Sequence, residues 1–161
     1  MSETDRLKPW AAALGRIPSG MFIVTVRHGN DETGMLASWV QQCSFDPPQV
    51  SIAVRHGRWL AGWLTEGAAL VINILDDTQT DMIVHFGRGF APGEPGFDGL
   101  EIQRSESNTA VLSEALAFLE CRVQASLSGG DHDLYIARVV GGRVLNEGHS
   151  MVHIRKSGLH Y

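Results

Sequence analysis

Two cysteines in 161 residues, Cys43 and Cys121, leave little room for cysteine chemistry. They stand far apart without CxxC or CxxxC spacing, which excludes a thiol-disulfide centre or zinc ribbon and fits a reducing cytoplasm. An apolar leader is missing too: residues 1–9 are charged and carry no hydrophobic segment, so no signal peptide is expected. Long apolar runs are also missing. The most apolar stretch, 68–75, falls far short of the roughly 20 residues of a membrane-crossing helix, and Asn73 interrupts it, so no membrane partner is expected. Lys and Arg form no run and the net charge is −5, which argues against nucleic acid. A small anionic ligand stays open, because two or three arginines with backbone N–H groups hold one phosphate whatever the net charge. No repeat, low-complexity tract or linker divides the chain. A chain of this length buries roughly 70% of its unfolded surface, so 1–161 reads as one domain that needs neither disulfide nor structural metal.

What is present reads mostly as strand. Residues 21–26 and 50–54 are short, β-branched and bounded by Gly or Pro. Between them, 34–44 is rich in small and polar residues and ends at Asp46-Pro47-Pro48, which forces a turn. Trp59, Leu60, Trp63 and Leu64 have the spacing of a helical stripe, and 77–86 repeats it with Asp77 or Thr78 as the N-cap. Residues 68–75 form a central strand between these helices. Residues 87–99 carry several glycines and two prolines and read as a long loop. Residues 116–125 alternate as a strand, 134–140 and 143–145 flank Gly141-Gly142 as a hairpin, and 152–161 supplies the last strand. The fold class is therefore mainly β with flanking helices, a small closed barrel with the helices packed outside.

Several chemistries find little support. Gly87-Arg88-Gly89 follows a helix instead of opening one, so it is no dinucleotide fingerprint. His149 and His153 are four apart with His160 close behind, but they flank a strand-like segment where a zinc site of this spacing needs a helix, and no Asp, Glu or Cys sits at ligand spacing nearby, so no metal is expected. No GxSxG is present, and Cys43 and Ser44 have no adjacent base; Cys43 reads more simply as a small core hydrophobe. Three features resist so plain a reading. Residues 36–44 run small and polar through what should be a buried strand and its exit, which is costly unless a ligand or water satisfies them. Asn73 breaks an apolar strand, where a ligand or a backbone group is an equally good partner. In Gly130-Asp131-His132-Asp133, a histidine sits beside two carboxylates where a strand begins, as a pH-poised functional group or as part of a solvated turn.

As a set these residues resemble a known family. The resemblance is carried by Pro-Ser-Gly-Met-Phe-Ile-Val-Thr at 18–25, then Gly-Met-Leu-Ala-Ser-Trp-Val-Gln-Gln-Cys-Ser-Phe-Asp-Pro-Pro at 34–48. Val-Ile-Asn-Ile-Leu at 71–75, Gly-Asp-His at 130–132 and Lys-Ser-Gly-Leu-His-Tyr at 156–161 follow in register. Together they are similar to the flavin reductase-like family, whose fold is the FMN-binding split barrel. The resemblance implies a cytoplasmic homodimer that binds FMN, or FAD in some members. It implies hydride transfer from NAD(P)H, with electrons passed to free flavin, a monooxygenase partner or another acceptor; the alternative it leaves is a non-catalytic FMN-binding module serving a partner protein. In such proteins the segment matching Leu36, Ala37, Ser38, Trp39, Gln41, Gln42, Cys43 and Ser44 supports the isoalloxazine edge and the phosphate. Preorganised main-chain donors there suit the negative charge that collects along N1 and C2=O on reduction. Arg55 and Arg58 are then the candidates for the flavin phosphate, helped by the N-terminus of the following helix. Asn73 matches an asparagine near the cofactor, and His132 a histidine near the flavin or nicotinamide, with an orienting or charge-stabilising role. Leu36 and Gln42 stand where many members have Thr or Ser, and Trp39 replaces a small residue; Gln41 and Gln42 would substitute as amide donors.

Overall fold

The computed structural model describes residues 8–161. Its centre is a seven-stranded antiparallel sheet in the order β3-β2-β6-β9-β10-β5-β4. The strands are β2 (Phe22–His28), β3 (Asp31–Ala37), β4 (Val40–Phe45), β5 (Pro48–Arg55), β6 (Ala69–Ile74), β9 (Ala117–Ser128) and β10 (His132–Val144). Two short ladders accompany it, β1 (Ser19–Gly20) with β11 (Val152–His153) and β7 (Ile102–Arg104) with β8 (Ala110–Leu112). Two helices lie against the sheet, α1 (Pro9–Gly15) and α2 (Thr80–Gly87).

The burial pattern explains which strands are central. In β5, Val50, Ile52 and Val54 are buried and alternate with more exposed Gln49, Ser51 and Ala53, so one face meets the core. In β2 and β6, consecutive residues are buried, because both faces are covered. One core gathers Val24, Val26, Ile52, Val54, Leu70, Ile72, Cys121, Val123 and Tyr135. A second gathers Ile23, Leu75, Met82, Phe86 and Phe90 between the sheet, α2 and the loop that follows it. Gly34 belongs where it is because Phe86 fills the space a side chain would need: an added Cβ would meet its ring at 2.7 Å.

The two outermost strands, β3 and β4, are joined by only Ser38 and Trp39. A connection that short brings the end of β3 beside the start of β4. The described pairings include no ladder between β3 and β4, so a split runs along the line where those two residues sit.

Five expectations are corrected. Gly141-Gly142 is no turn: β10 runs straight through it with register shifts against β9, and the reversal lies at Gly129 and Gly130, where the Gly129 N–H donates to the His132 carbonyl at 3.1 Å. Residues 152–161 form only the two-residue strand β11; beyond it the chain turns onto α1, with Arg155 N–H donating to Gly15 and Gly158 N–H to Ala11. The stripe at 59–64 makes a single 3-10 turn, Trp59–Trp63, which buries Leu60. Cys43 lies exposed on β4 and is not in the core, because β4 has its outer edge and much of its face open. The N-cap is displaced as well: α2 starts at Thr80, while the Asp76 carboxylate accepts from Thr78 N–H (2.9 Å) and Thr78 Oγ1 (2.7 Å) in the turn before it.

Candidate functional site

Ser38 and Trp39 sit in the split with polar groups to spare. The Trp39 carbonyl accepts from Ala53 N–H at 3.0 Å. The N–H groups of Ser38 and Trp39 find no acceptor among the described residues, and neither does the Ser38 hydroxyl, although Ser38 is only 7% exposed. Among the described residues no fully buried side-chain polar atom lacks a partner, so the Ser38 hydroxyl faces open space where a ligand or water can accept from it. Ser38 borders a cavity of about 280 Å³ lined by Met21, Leu36, Ser38, Arg58, Ile83, Gly87, His153 and Tyr161, and Trp39 lines the narrow gap beside it. The Arg58 side chain makes no ion pair or hydrogen bond with a described residue, so its guanidinium is open to an anion.

A second cavity, of about 330 Å³, adjoins the first across Tyr161 and is lined by Trp39, Arg55, Asp131, His132, Arg155 and 158–161. Its polar groups are chained together. His132 Nδ1 lies 2.7 Å from the Asp131 carboxylate, and His132 Nε2 is hydrogen-bonded to the Tyr161 hydroxyl. The bond to His132, first, holds the Asp131 carboxyl below the usual range, while burial pushes the Tyr161 hydroxyl up against the pull of Arg58, Arg55 and Arg155. The ionised Asp131 carboxylate accepts from Nδ1–H, and Nε2 and the Tyr161 hydroxyl share the second hydrogen bond. Trp39 flanks both rings, at 4.7 Å from His132 and 5.7 Å from Tyr161 between centroids, with the Arg155 guanidinium 5.1 Å from its own ring centre.

Leu36, Ala37, Ser38, Trp39, Arg55 and Arg58 line these two cavities or the narrow gap between them, and His132 lines the outer one. Gln41, Gln42, Cys43 and Ser44 run away from both along β4; Gln42 Nε2 donates to the Ser44 carbonyl at 3.3 Å. Asn73 stands apart as well. It is wholly buried, donates to the Ile23 carbonyl at 2.9 Å and accepts from Leu112 N–H at 2.8 Å, so its amide ties β2 and β8 to β6. The 3-10 turn after Arg58 is too short to offer the helix dipole expected there. Tyr161 and Arg155 join the site without having been singled out: both lie in a segment whose pattern read as strand, and only the fold over α1 brings them back. A wider groove of about 640 Å³ at 144–148, bordered by Ile74 and Leu116, has Glu147 as its one ionisable side chain and no cationic one. Among the described residues no three His, Cys, Asp or Glu side chains converge as metal ligands would, and no helix is long and apolar enough to cross a membrane.

The family model described as flavin reductase like domain matches residues 14–158, nearly the whole chain. The chain belongs to this family. Diflavin flavoprotein A 1 of Synechocystis sp. is 38% identical over 92% of the chain, and the match spans 26% of that protein's length. The chain thus spans about a quarter of the curated relatives it matches. Among solved structures it is similar to the NADH:FAD oxidoreductase SgcE6 of Streptomyces globisporus C-1027, with 26% identity, a TM-score of 0.83 and coverage of 96% of this chain and 91% of that one. The styrene monooxygenase flavin reductase of Pseudomonas putida S12, at 22% identity, TM-score 0.76 and coverage of 91% and 93%, shares the fold. As a flavin reductase-like domain, the chain has the seven-stranded architecture of these structures, and the split between β3 and β4 is where its unpaired donors collect.

Proposed function

We propose that this domain binds FMN or FAD in the split and reduces it with NAD(P)H. The observation that carries the reading is the convergence of unpaired donors, the N–H groups of Ser38 and Trp39, the Ser38 hydroxyl and the Arg58 guanidinium, on a partly apolar cavity in the split. That set fits a flavin: an apolar ring system with a hydrogen-bond-accepting edge and an anionic phosphate tail. The chemistry a flavin supplies when bound is two-electron acceptance from a dihydronicotinamide. Ser38 and Trp39 would donate to its carbonyl edge, where fixed donors stabilise the charge of the reduced form without reorganising. Arg58 would hold the phosphate, with Arg55 nearer the outer cavity. His132, held by Asp131, would orient the ligand there, since hydride transfer itself calls for no protein acid.

The test is direct. Purified chain is titrated with FMN and with FAD while flavin fluorescence is followed, and reduced nicotinamide oxidation is then recorded with NADH and NADPH. Quenching with saturation, together with flavin-dependent oxidation of either nicotinamide, is the expected result; absence of quenching with both flavins ends the proposal. Arg58→Ala should weaken FMN binding about tenfold or more, as loss of a charge-assisted phosphate contact. A second reading, a flavin-holding module that delivers the cofactor to a partner protein, is favoured by one observation: relatives named diflavin flavoproteins contain this domain as a quarter of their length. Tight flavin binding without nicotinamide turnover would select it. In either reading we assign a second copy of the chain to the open edge of β4, and a monooxygenase or other electron acceptor is the partner the reductase reading calls for.

A further inference from the structure

The Tyr161 ring is shared by both cavities, the inner one with Leu36, Ser38 and Arg58 and the outer one with Arg55, His132 and Arg155. Its phenol is therefore the partition between them. At about 280 and 330 Å³ each is near the floor of a small-molecule site, roughly 300 Å³. Moving the ring aside would open one toward the other along the gap lined by Ser38, Trp39, Arg55 and Arg58.

The way Tyr161 is held suits a movable partition. Upstream the segment is pinned: Arg155 N–H donates to Gly15, and Gly158 N–H to Ala11. At Gly158 an added Cβ would lie 2.2 Å from Leu14 Cβ, so the anchor requires glycine. Beyond that anchor Tyr161 is 60% exposed, and its ring is fixed by the hydroxyl bond to His132 and by the Trp39 face. Little buried area is lost if it swings. The two chambers also differ in chemistry. The inner one sets Met21, Leu36 and Ile83 beside a single guanidinium, Arg58, and His153, whereas the outer one carries Arg55 and Arg155, two guanidiniums suited to the pyrophosphate of a nicotinamide nucleotide.

Resting on the flavin reading above, we infer that Tyr161 is a gate between a flavin chamber and a nicotinamide chamber. The Asp131–His132 pair latches the gate shut, and the nicotinamide ring must displace the phenol to reach the flavin. Tyr161 then costs nicotinamide affinity and sets a specificity for ligands able to expel it.

Tyr161→Phe removes the latch and keeps the ring; Tyr161→Ala removes the ring. Each variant, loaded with FMN, is titrated with NAD+ and NADP+ while the difference spectrum of the bound flavin is followed, and KM and kcat for NADH and NADPH are measured alongside. The expected result is nicotinamide binding tightened about threefold in the Phe variant and tenfold or more in the Ala variant. KM should fall in the same order and kcat should fall with it, as release of the oxidised nicotinamide slows. A merely structural tyrosine would not tighten binding. Unchanged or weaker nicotinamide binding in both variants, with FMN still bound, overturns the gate and leaves the flavin site standing. Wild-type chain that binds neither FMN nor FAD overturns the flavin reading and the gate with it.

Discussion

Asn73 and Ser38 are both polar residues in apolar surroundings, and their fates show how much a single residue discloses. The amide of Asn73 finds complementary main-chain groups on two neighbouring strands, whereas the Ser38 hydroxyl finds none and borders a cavity. From the sequence both stood out as costly; which of them had a protein partner depended on strands 50 and 39 residues away. Asn73→Ala should thus strip a buried carbonyl and a buried N–H of their partners and lower stability by about 2–4 kcal/mol in urea unfolding. Its flavin affinity, measured where the variant is folded, should match wild type, and a large loss of affinity would return Asn73 to the site. Glu120 gives a pH prediction. Burial raises its carboxyl, but hydrogen bonds from Ser107, Ser105 and the Glu106 main chain outweigh burial and hold it below its ordinary 4.5. A folded-state value below the unfolded one means its stabilisation is complete above that range and is lost as pH falls through the depressed value. Glu120→Gln should therefore lower the unfolding midpoint at pH 7 and flatten the decline below pH 4.5; parallel pH profiles for variant and wild type would contradict this.

Glycine pairs in strand-rich sequence mean either a turn or a close approach, and β10 contains the second kind. At Gly142 φ is +142°, and an added Cβ would sit 2.4 Å from the Phe118 carbonyl oxygen of the neighbouring strand. The glycine serves the bulged β9–β10 ladder; the chain reverses at Gly129 and Gly130 instead, between Ser128 and Asp131. Gly142→Ala should destabilise by about 1–3 kcal/mol, the usual cost of forcing atoms into a filled space. Gly130→Ala, with nothing within 4 Å of the added atom, should stay within about 0.5 kcal/mol of wild type. Equal unfolding midpoints for the two variants would contradict this account of the ladder. The contrast also explains which elements were legible. β2, β5, β6 and the core of β9 follow from apolar runs alone, since burial on one face or both leaves a period in the sequence. The segment after β11 leaves none: its position depends on Gly158 packing against α1, a contact between opposite ends of the chain.

At the scale of the molecule the open edge is the feature that calls for a partner. Among the described residues β4 pairs only with β5, and Phe45 at its end is 91% exposed. An unpaired apolar edge strand invites association and is normally charged, kinked or covered, yet 40–45 carries no charge at all. A second copy of the chain would cover it, and the Gln41, Gln42, Cys43 and Ser44 row would then lie at the contact between copies. That arrangement reconciles the family resemblance of this row with its distance from both cavities of its own chain. Sedimentation equilibrium should then give twice the 17.6 kDa of the chain. Phe45→Glu, which puts a charge on the covered face, should shift the mass toward one copy without changing the circular dichroism of the fold. If the row completes the partner's site, the same variant should bind FMN at least tenfold more weakly, although residue 45 lines neither cavity. A dissociated variant that binds FMN as tightly as wild type would show that each split works alone, and a wild-type chain that sediments as a single copy would remove the dimer from the account.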